Sequence, residues 1–158
     1  CRDPVFSGVG IPWSQDCRSI QPHRTVTMSK EQFHCGIILE NFEPYEFYCP
    51  CCNRERMDKQ TLLRIQRFRT DYDKPLSVVE GGGWRCENYS SNGKSAHREG
   101  KAVDIGYPWD DHFMVVDLAF KHGFTGIGDK NKGGRYQLHM DDADAIPGFR
   151  PRPRKWTY

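Results

Sequence analysis

The 158-residue sequence predicts a single domain of mixed α+β character. Three observations carry that prediction. Behind Asp58, the residues Thr61, Leu62, Ile65 and Phe68 recur at helical spacing. From Arg135 to Asp141 polar and apolar residues alternate with the period of a strand that has one wet and one dry face. The length suits one core burying about two-thirds of the surface of the unfolded chain.

The elements follow in order. Residues 1–33 hold turn formers (Pro4, Gly8, Gly10, Pro12, Pro22) and little periodicity, so they predict an irregular, cysteine-tethered arm. From Phe33 to Tyr48 the apolar residues Ile37, Ile38, Leu39, Phe42, Tyr45 and Phe47 have no clean period, and Pro44 argues against a helix. Cys49-Pro-Cys51-Cys52-Asn53 fits disulfide partners, free thiols, or a zinc knuckle completed by Cys35 or Cys86. No second paired-cysteine motif follows at zinc-finger spacing, which favours disulfides or free thiols.

Asp58 predicts the N-cap of a first helix whose other face carries Arg64, Arg67 and Arg69, and Pro75 closes that segment. Leu76 to Val79 reads as a short strand on which the helix packs. Gly81-Gly82-Gly83 then permits a sharp turn or close approach to a ligand, and Arg85 straight after it is suited to clamp an anion. Residues 87–96 are polar and loop-like. Val103-Asp104-Ile105 is a strand fragment with Asp104 on the face opposite its neighbours. Asp110 or Asp111 predicts the cap of a second helix, with Val115, Leu118 and Ala119 buried and Gly123 at its end. Phe124 to Gly128 reads as a tight strand whose glycines let other backbone pass close, and Asp129 to Gly134 as a hairpin-like turn. In the next strand Gln137, His139 and Asp141 share one face, and Tyr136, Leu138 and Met140 the other. The basic tail from Arg150 to Tyr158, held extended by Pro151 and Pro153, is expected to wrap the surface with Trp156 and Tyr158 tucked in.

Composition narrows the function classes. A mean hydropathy of −0.78 describes a water-soluble surface. A net charge of +2 with interleaved signs argues against a dedicated nucleic-acid binder. No apolar run approaches the ~20 residues of a membrane span. Seven cysteines are many for a cytosolic enzyme and point to an oxidising compartment or a second metal site. The odd number leaves one thiol unpaired if all others bridge.

The chemistry gathers in His97-x6-Asp104 and His139-x-Asp141. Two neutral imidazoles and one carboxylate are what Zn2+ accepts, and three protein ligands leave a position open for water. His97, Asp104 and His139 therefore form a candidate tripod, with Arg85 upstream.

Around that tripod runs a longer pattern. It includes Phe47-Tyr-Cys-Pro-Cys51, Met57-Asp58, Lys74-Pro75-Leu76 and Trp84-Arg85-Cys86. Its core is Ser95-x-His97-x-x-Gly100-x-Ala102-x-Asp104-Ile105, followed by His122-Gly123-Phe124-x-Gly126-Ile127-Gly128, His139-x-Asp141 and Arg154-x-Trp156-x-Tyr158. Over residues 42–158 the chain resembles the M15 zinc peptidases, which include D-Ala-D-Ala carboxypeptidases and phage L-alanyl-D-glutamate endolysins and share a fold with the hedgehog signalling domain.

The resemblance implies a zinc peptidase domain at 41–158 behind an N-terminal arm at 1–40 that packs on it. It implies a small, mostly antiparallel sheet carrying the metal, with helices on one side. His97, Asp104 and His139 would be the Zn2+ ligands, Arg85 would hold a substrate carboxylate or an oxyanion, and Ser95 would donate a hydrogen bond near the site. The substrate would be a peptidoglycan peptide, cut by a monomer at the bacterial cell wall. Zinc would polarise the scissile carbonyl and acidify a water whose proton a carboxylate takes. The better-studied members carry an acidic residue where this chain has Tyr136, and others a histidine where it has Gln137. Asp141 is the foremost remaining carboxylate, followed by Asp142 and Glu99, or else Asp141 orients His139.

Overall fold

The computed structural model describes residues 30–132 and 134–158. Residues 1–29, which hold most of the expected arm with Cys1 and Cys17, lie outside the described residues. Two α-helices, α1 (Lys59–Tyr72) and α2 (His112–Lys121), accompany five strands: β1 (Ser77–Val78), β2 (Ala102–Gly106), β3 (Gly126–Lys132), β4 (Arg135–Asp141) and β5 (Arg154–Thr157). The strands form one sheet in the order β1-β2-β4-β3-β5. β5 runs parallel to β3 and every other pairing is antiparallel, so the α+β class and the mostly antiparallel sheet hold.

The helices form where the sequence places them. The Asp58 carboxylate accepts from the Gln60 and Thr61 amides at 2.9 and 3.2 Å, satisfying two donors that the first turn leaves without partners. Leu62, Ile65, Phe68 and Tyr72 of α1 join Val115, Leu118 and Ala119 of α2 in one core with Val103, Ile105, Ile127, Leu138 and Met140 of the sheet. Alternation places those five strand residues on one face, so both helices cover that face and leave the other for the site. Each fully buried Leu, Ile or Phe there contributes roughly 1.5–3 kcal/mol. Phe33 and Leu39, in residues 30–40 where no helix or strand forms, are also buried in this core.

Several expectations need correction. Pro44 begins a short 3-10 helix, Pro44–Phe47, instead of preventing one, since its missing N–H costs nothing at a first helical position. Asp111 occupies the N-cap of α2, but its carboxylate accepts from Tyr72 Oη and Lys74 Nζ, each at 2.6 Å, and does not cap. Asp129 to Lys132 are strand, not turn. They pair with Leu138, Gln137, Tyr136 and Arg135, and a complete ladder outweighs their poor strand propensity. Gly126 and Gly128 make room for side chains, not passing backbone: a Cβ at Gly126 would strike the Asp141 carboxylate, and one at Gly128 would lie 2.7 Å from the Trp156 indole. Trp156 is half-buried as expected, but Tyr158 is 72% exposed although its amide donates to the Asp129 carbonyl at 3.0 Å.

Candidate metal centre

Strand register assembles the site. Asp104 of β2 pairs directly with His139 of β4, His139 pairs with Gly128 of β3, and Gly128 with Trp156 of β5. One rung of the sheet thus aligns a carboxylate, an imidazole, a gap and an indole on the face away from the helices. The missing side chain at Gly128 lets Trp156 lean over, its ring 5.4 Å from that of His139. A slip of one residue would turn these groups into the core, so the core's alternation also fixes the site.

His97 arrives from the loop before β2. Gly100, at φ 72, reverses that loop against Arg56, where a Cβ would collide with the Arg56 carbonyl oxygen. His97 is only 3% exposed and its Nδ1 lies 2.8 Å from the Gly83 carbonyl oxygen, which makes Nδ1–H the donor and turns the Nε2 lone pair toward the rung. His139 is arranged in mirror fashion: Nε2–H donates to Asp141 Oδ2 at 3.1 Å, leaving Nδ1 for the rung.

Three acceptor atoms consequently converge. His139 Nδ1 lies 2.8 Å from Asp104 Oδ1 and 3.1 Å from His97 Nε2, and His97 Nε2 lies 3.2 Å from Asp104 Oδ1. Ligands about 2.0–2.1 Å from a tetrahedral ion stand about 3.3 Å apart, so this nearly equilateral triangle fits one small divalent metal with little movement. The residues His97, Asp104 and His139 could hold a metal ion.

The surroundings complete the picture. Arg85 Nη2 donates to Asp104 Oδ2 at 2.5 Å and its Nε to the Gly81 carbonyl at 2.7 Å, so the guanidinium stands beside the triangle. Asp141 is 1% exposed and fully engaged: Oδ2 accepts from His139, and Oδ1 from Arg152 and the Ala143 amide. Burial pushes the Asp104 and Asp141 carboxyls up, but the histidines at both, and Arg152 at Asp141, outweigh it and hold each below the usual range. Burial drives His97 down, while hydrogen bonds to Asp104 and Asp141 outweigh burial and raise His139.

A cleft of about 380 Å³ opens over the triangle, and Ser95 and Gln137 line it with Arg85. Six cationic side chains (Arg85, Lys94, Lys130, Arg150, Arg152 and Arg154) face two anionic ones, Asp104 and Asp141. The other carboxylates named from sequence do not line it. Glu99 pairs with Arg150, at 2.5 Å from Glu99 Oε1, while Asp142 accepts from Thr61 Oγ1 at 2.7 Å and lies 3.4 Å from Arg64. Tyr136 packs on the opposite face, its ring 4.5 Å from that of Trp109. Sequence reasoning missed Arg152, the Gly83 carbonyl and Glu80. The last is exposed, forms no ion pair among the described residues, and lines an adjoining cavity with Arg85, Asp104 and Gln137. The basic tail hinted at Arg152 and the glycine run at a close approach near Gly83, while nothing local marked Glu80.

A second group holds sulfur. All five described cysteines are free, and Cys49, Cys52 and Cys86 bring their sulfurs within 4.8 Å of one another; Cys35 is not among them. No helix is long and apolar enough to cross a membrane among the described residues. No model of a known protein family matches the chain, and no curated protein matches it.

Proposed function

We propose that the chain is a zinc metallopeptidase that cuts peptide bonds in bacterial peptidoglycan stem peptides or cross-links, with a peptidase domain of the M15 and hedgehog type. The observation that carries the reading is the triangle of His97 Nε2, Asp104 Oδ1 and His139 Nδ1 at the floor of a cationic cleft. Zinc held there supplies a Lewis acid for the scissile carbonyl and lowers the pKa of a water toward about 7.

The chain's own residues do the rest. Arg85 and the cationic walls draw in the carboxylates of an acidic stem peptide and fix its direction, since Arg binds carboxylates with two parallel hydrogen bonds. Asp141 orients His139 and, tied to Arg152, keeps the imidazole's Nδ1 aimed at the metal position. Glu80, the unpaired carboxylate on the neighbouring wall, is the candidate to accept the proton. Gln137 and Ser95 present polar groups to the bound peptide.

The test is mass analysis of peptidoglycan fragments after incubation with zinc-loaded protein. Release of defined wall peptides, stopped by chelation, is expected and would name the bond, D-Ala-D-Ala or L-Ala-D-Glu. Murein sacculi and short stem peptides both left uncut would sink the reading.

One observation favours a second reading. Both carboxylates lining the central cleft are already paired, with Arg85 and Arg152. A zinc-bearing module that binds acidic wall peptides without cutting them fits that arrangement, and zinc-dependent binding of uncut stem peptides would identify it.

A further inference from the structure

The cysteine group lies outside the cleft and has a construction of its own. Asn53 adopts a left-handed conformation at φ 53, its amide donates to the Cys49 carbonyl at 2.9 Å, and the Cys49 amide to that of Arg54 at 2.8 Å. That closed turn gathers the side chains of residues 49–52. Cys86 meets them from the glycine-rich segment: its Sγ lies 3.5 Å from Cys49 Sγ, and its amide donates to Cys49 Sγ at 3.4 Å. Cys52 completes a group of three sulfurs that all lie within 4.8 Å of one another, and Cys51 belongs to the same turn.

The spacing distinguishes two chemistries. Bonded sulfurs stand about 2.05 Å apart. Sulfurs about 2.3 Å from one tetrahedral zinc stand about 3.8 Å apart, close to what Cys49 and Cys86 show. A disulfide engages two thiols, whereas three converge here, with Cys51 adjacent to Cys52 in the chain.

We propose that Cys49, Cys52 and Cys86, with Cys51 as fourth ligand, hold one structural Zn2+ that fastens the 49–53 turn to the segment bearing Arg85. The two segments already touch closely. A Cβ at Gly83 would lie 2.5 Å from the Phe47 backbone, and the Trp84 amide donates to the Phe47 carbonyl at 3.2 Å. Cys86 follows Arg85 directly, and the Arg85 amide donates to the His97 carbonyl at 3.2 Å. Metal at the cysteines would thus hold the backbone on which the cleft's Arg85 stands.

The test counts metal and maps thiols in the full chain. Elemental analysis is expected to find about two zinc ions per chain, about one after either His139→Ala or Cys86→Ser, and none after both. Cobalt substitution gives a readout free of folding artefacts: the parent protein should show thiolate-to-cobalt charge-transfer absorption, which nitrogen and oxygen ligands cannot produce. Absence of that band, or a Cys49 peptide disulfide-linked to a Cys86 peptide after non-reducing digestion, would overturn the site. Unchanged zinc affinity in Cys51→Ser would overturn Cys51 as fourth ligand. Full zinc content in His139→Ala would count against the peptidase reading and leave the thiolate site standing.

Discussion

The two ligand clusters are built by opposite means. His97, Asp104 and His139 depend on the sheet: two of them are direct partners across β2 and β4, and their rings are aimed by the Gly83 carbonyl and Asp141. The cysteines sit on turns joined by their own sulfurs, by the Trp84 and Cys86 amides donating to the Phe47 carbonyl and Cys49 Sγ, and by the packing of Gly83 on Phe47. The first cluster is held in binding geometry by protein hydrogen bonds, and the second would rely on the proposed metal for closure. Preorganised strands suit a site that must present an open position to substrate, while a closed thiolate knot suits a site that only holds chain together.

The sharpest contrast comes from removing one ligand at each. His139→Ala is expected to abolish peptide hydrolysis while the thermal transition moves little. Cys86→Ser should lower the transition clearly and leave a folded fraction that still turns over. Activity assayed beside calorimetry checks both. Equal loss of stability in the two variants would break the distinction between a working centre and a structural one.

Around the first cluster the carboxylates Glu80 and Asp141 divide by role. Glu80→Gln is expected to lower kcat about 10²-fold or more with zinc content unchanged, as removal of a proton acceptor does. Asp141→Asn should weaken zinc binding roughly 10- to 100-fold, read by competition with a chelator, because it loosens His139 without removing a ligand. If Asp141→Asn keeps full zinc affinity but loses kcat, Asp141 takes the proton and Glu80 does not.

Gly83 couples the two clusters, offering its carbonyl to His97 Nδ1 and its bare Cα to Phe47. Gly83→Ala forces a methyl group against the Phe47 backbone and is expected to cost about 1–3 kcal/mol. For a chain of this size that lowers Tm by roughly 2–4 °C per kcal/mol. An unchanged Tm would mean the segments can separate freely, and the proposed fastening role of the cysteines would lose its basis.

How legible each cluster was follows from the same difference. The alternation at 135–141 put His139 and Asp141 on one face, and the isolated polar Asp104 in β2 pointed the same way, because strand periodicity writes orientation into sequence. The α1 stripe and its Asp58 cap were equally plain. Turns leave no such imprint. Nothing in the spacing of Cys49, Cys51, Cys52 and Cys86 reveals that a turn closed by a left-handed Asn53 brings Cys49 and Cys52 to Cys86. The run from Asp129 to Lys132 read as a turn because its residues are poor strand formers, and only pairing with β4 makes it strand. Arg152 was hidden for a similar reason: its meeting with Asp141 depends on β5 adding to β3, a parallel pairing between segments far apart in sequence.

The smallest effect compares two adjacent carboxylates in chelated protein, where only hydrogen bonds hold the first cluster. Burial pushes Asp141 up, but His139 and Arg152 hold its carboxyl below the usual range. Its stabilising contribution is therefore complete above the unfolded value of about 4 and is lost as pH falls through the lower folded value. Asp142 has the opposite sign: burial raises it despite Thr61 and Arg64, so its contribution is complete below about 4 and is lost as pH rises through the higher folded value. Urea midpoints measured from about pH 2 to 6 should then show Asp141→Asn flattening the acid fall in stability, and Asp142→Asn gaining slightly toward the upper end of that range. The cysteine turn carries no carboxylate among residues 49–53, so the Asp141→Asn difference from the parent reports the strand-borne cluster, while Asp142→Asn reports the contact with Thr61 and Arg64. An acid limb unchanged by Asp141→Asn would mean that the chain from Arg152 through Asp141 to His139 contributes no charge-dependent stability, and that packing alone holds the imidazole in place.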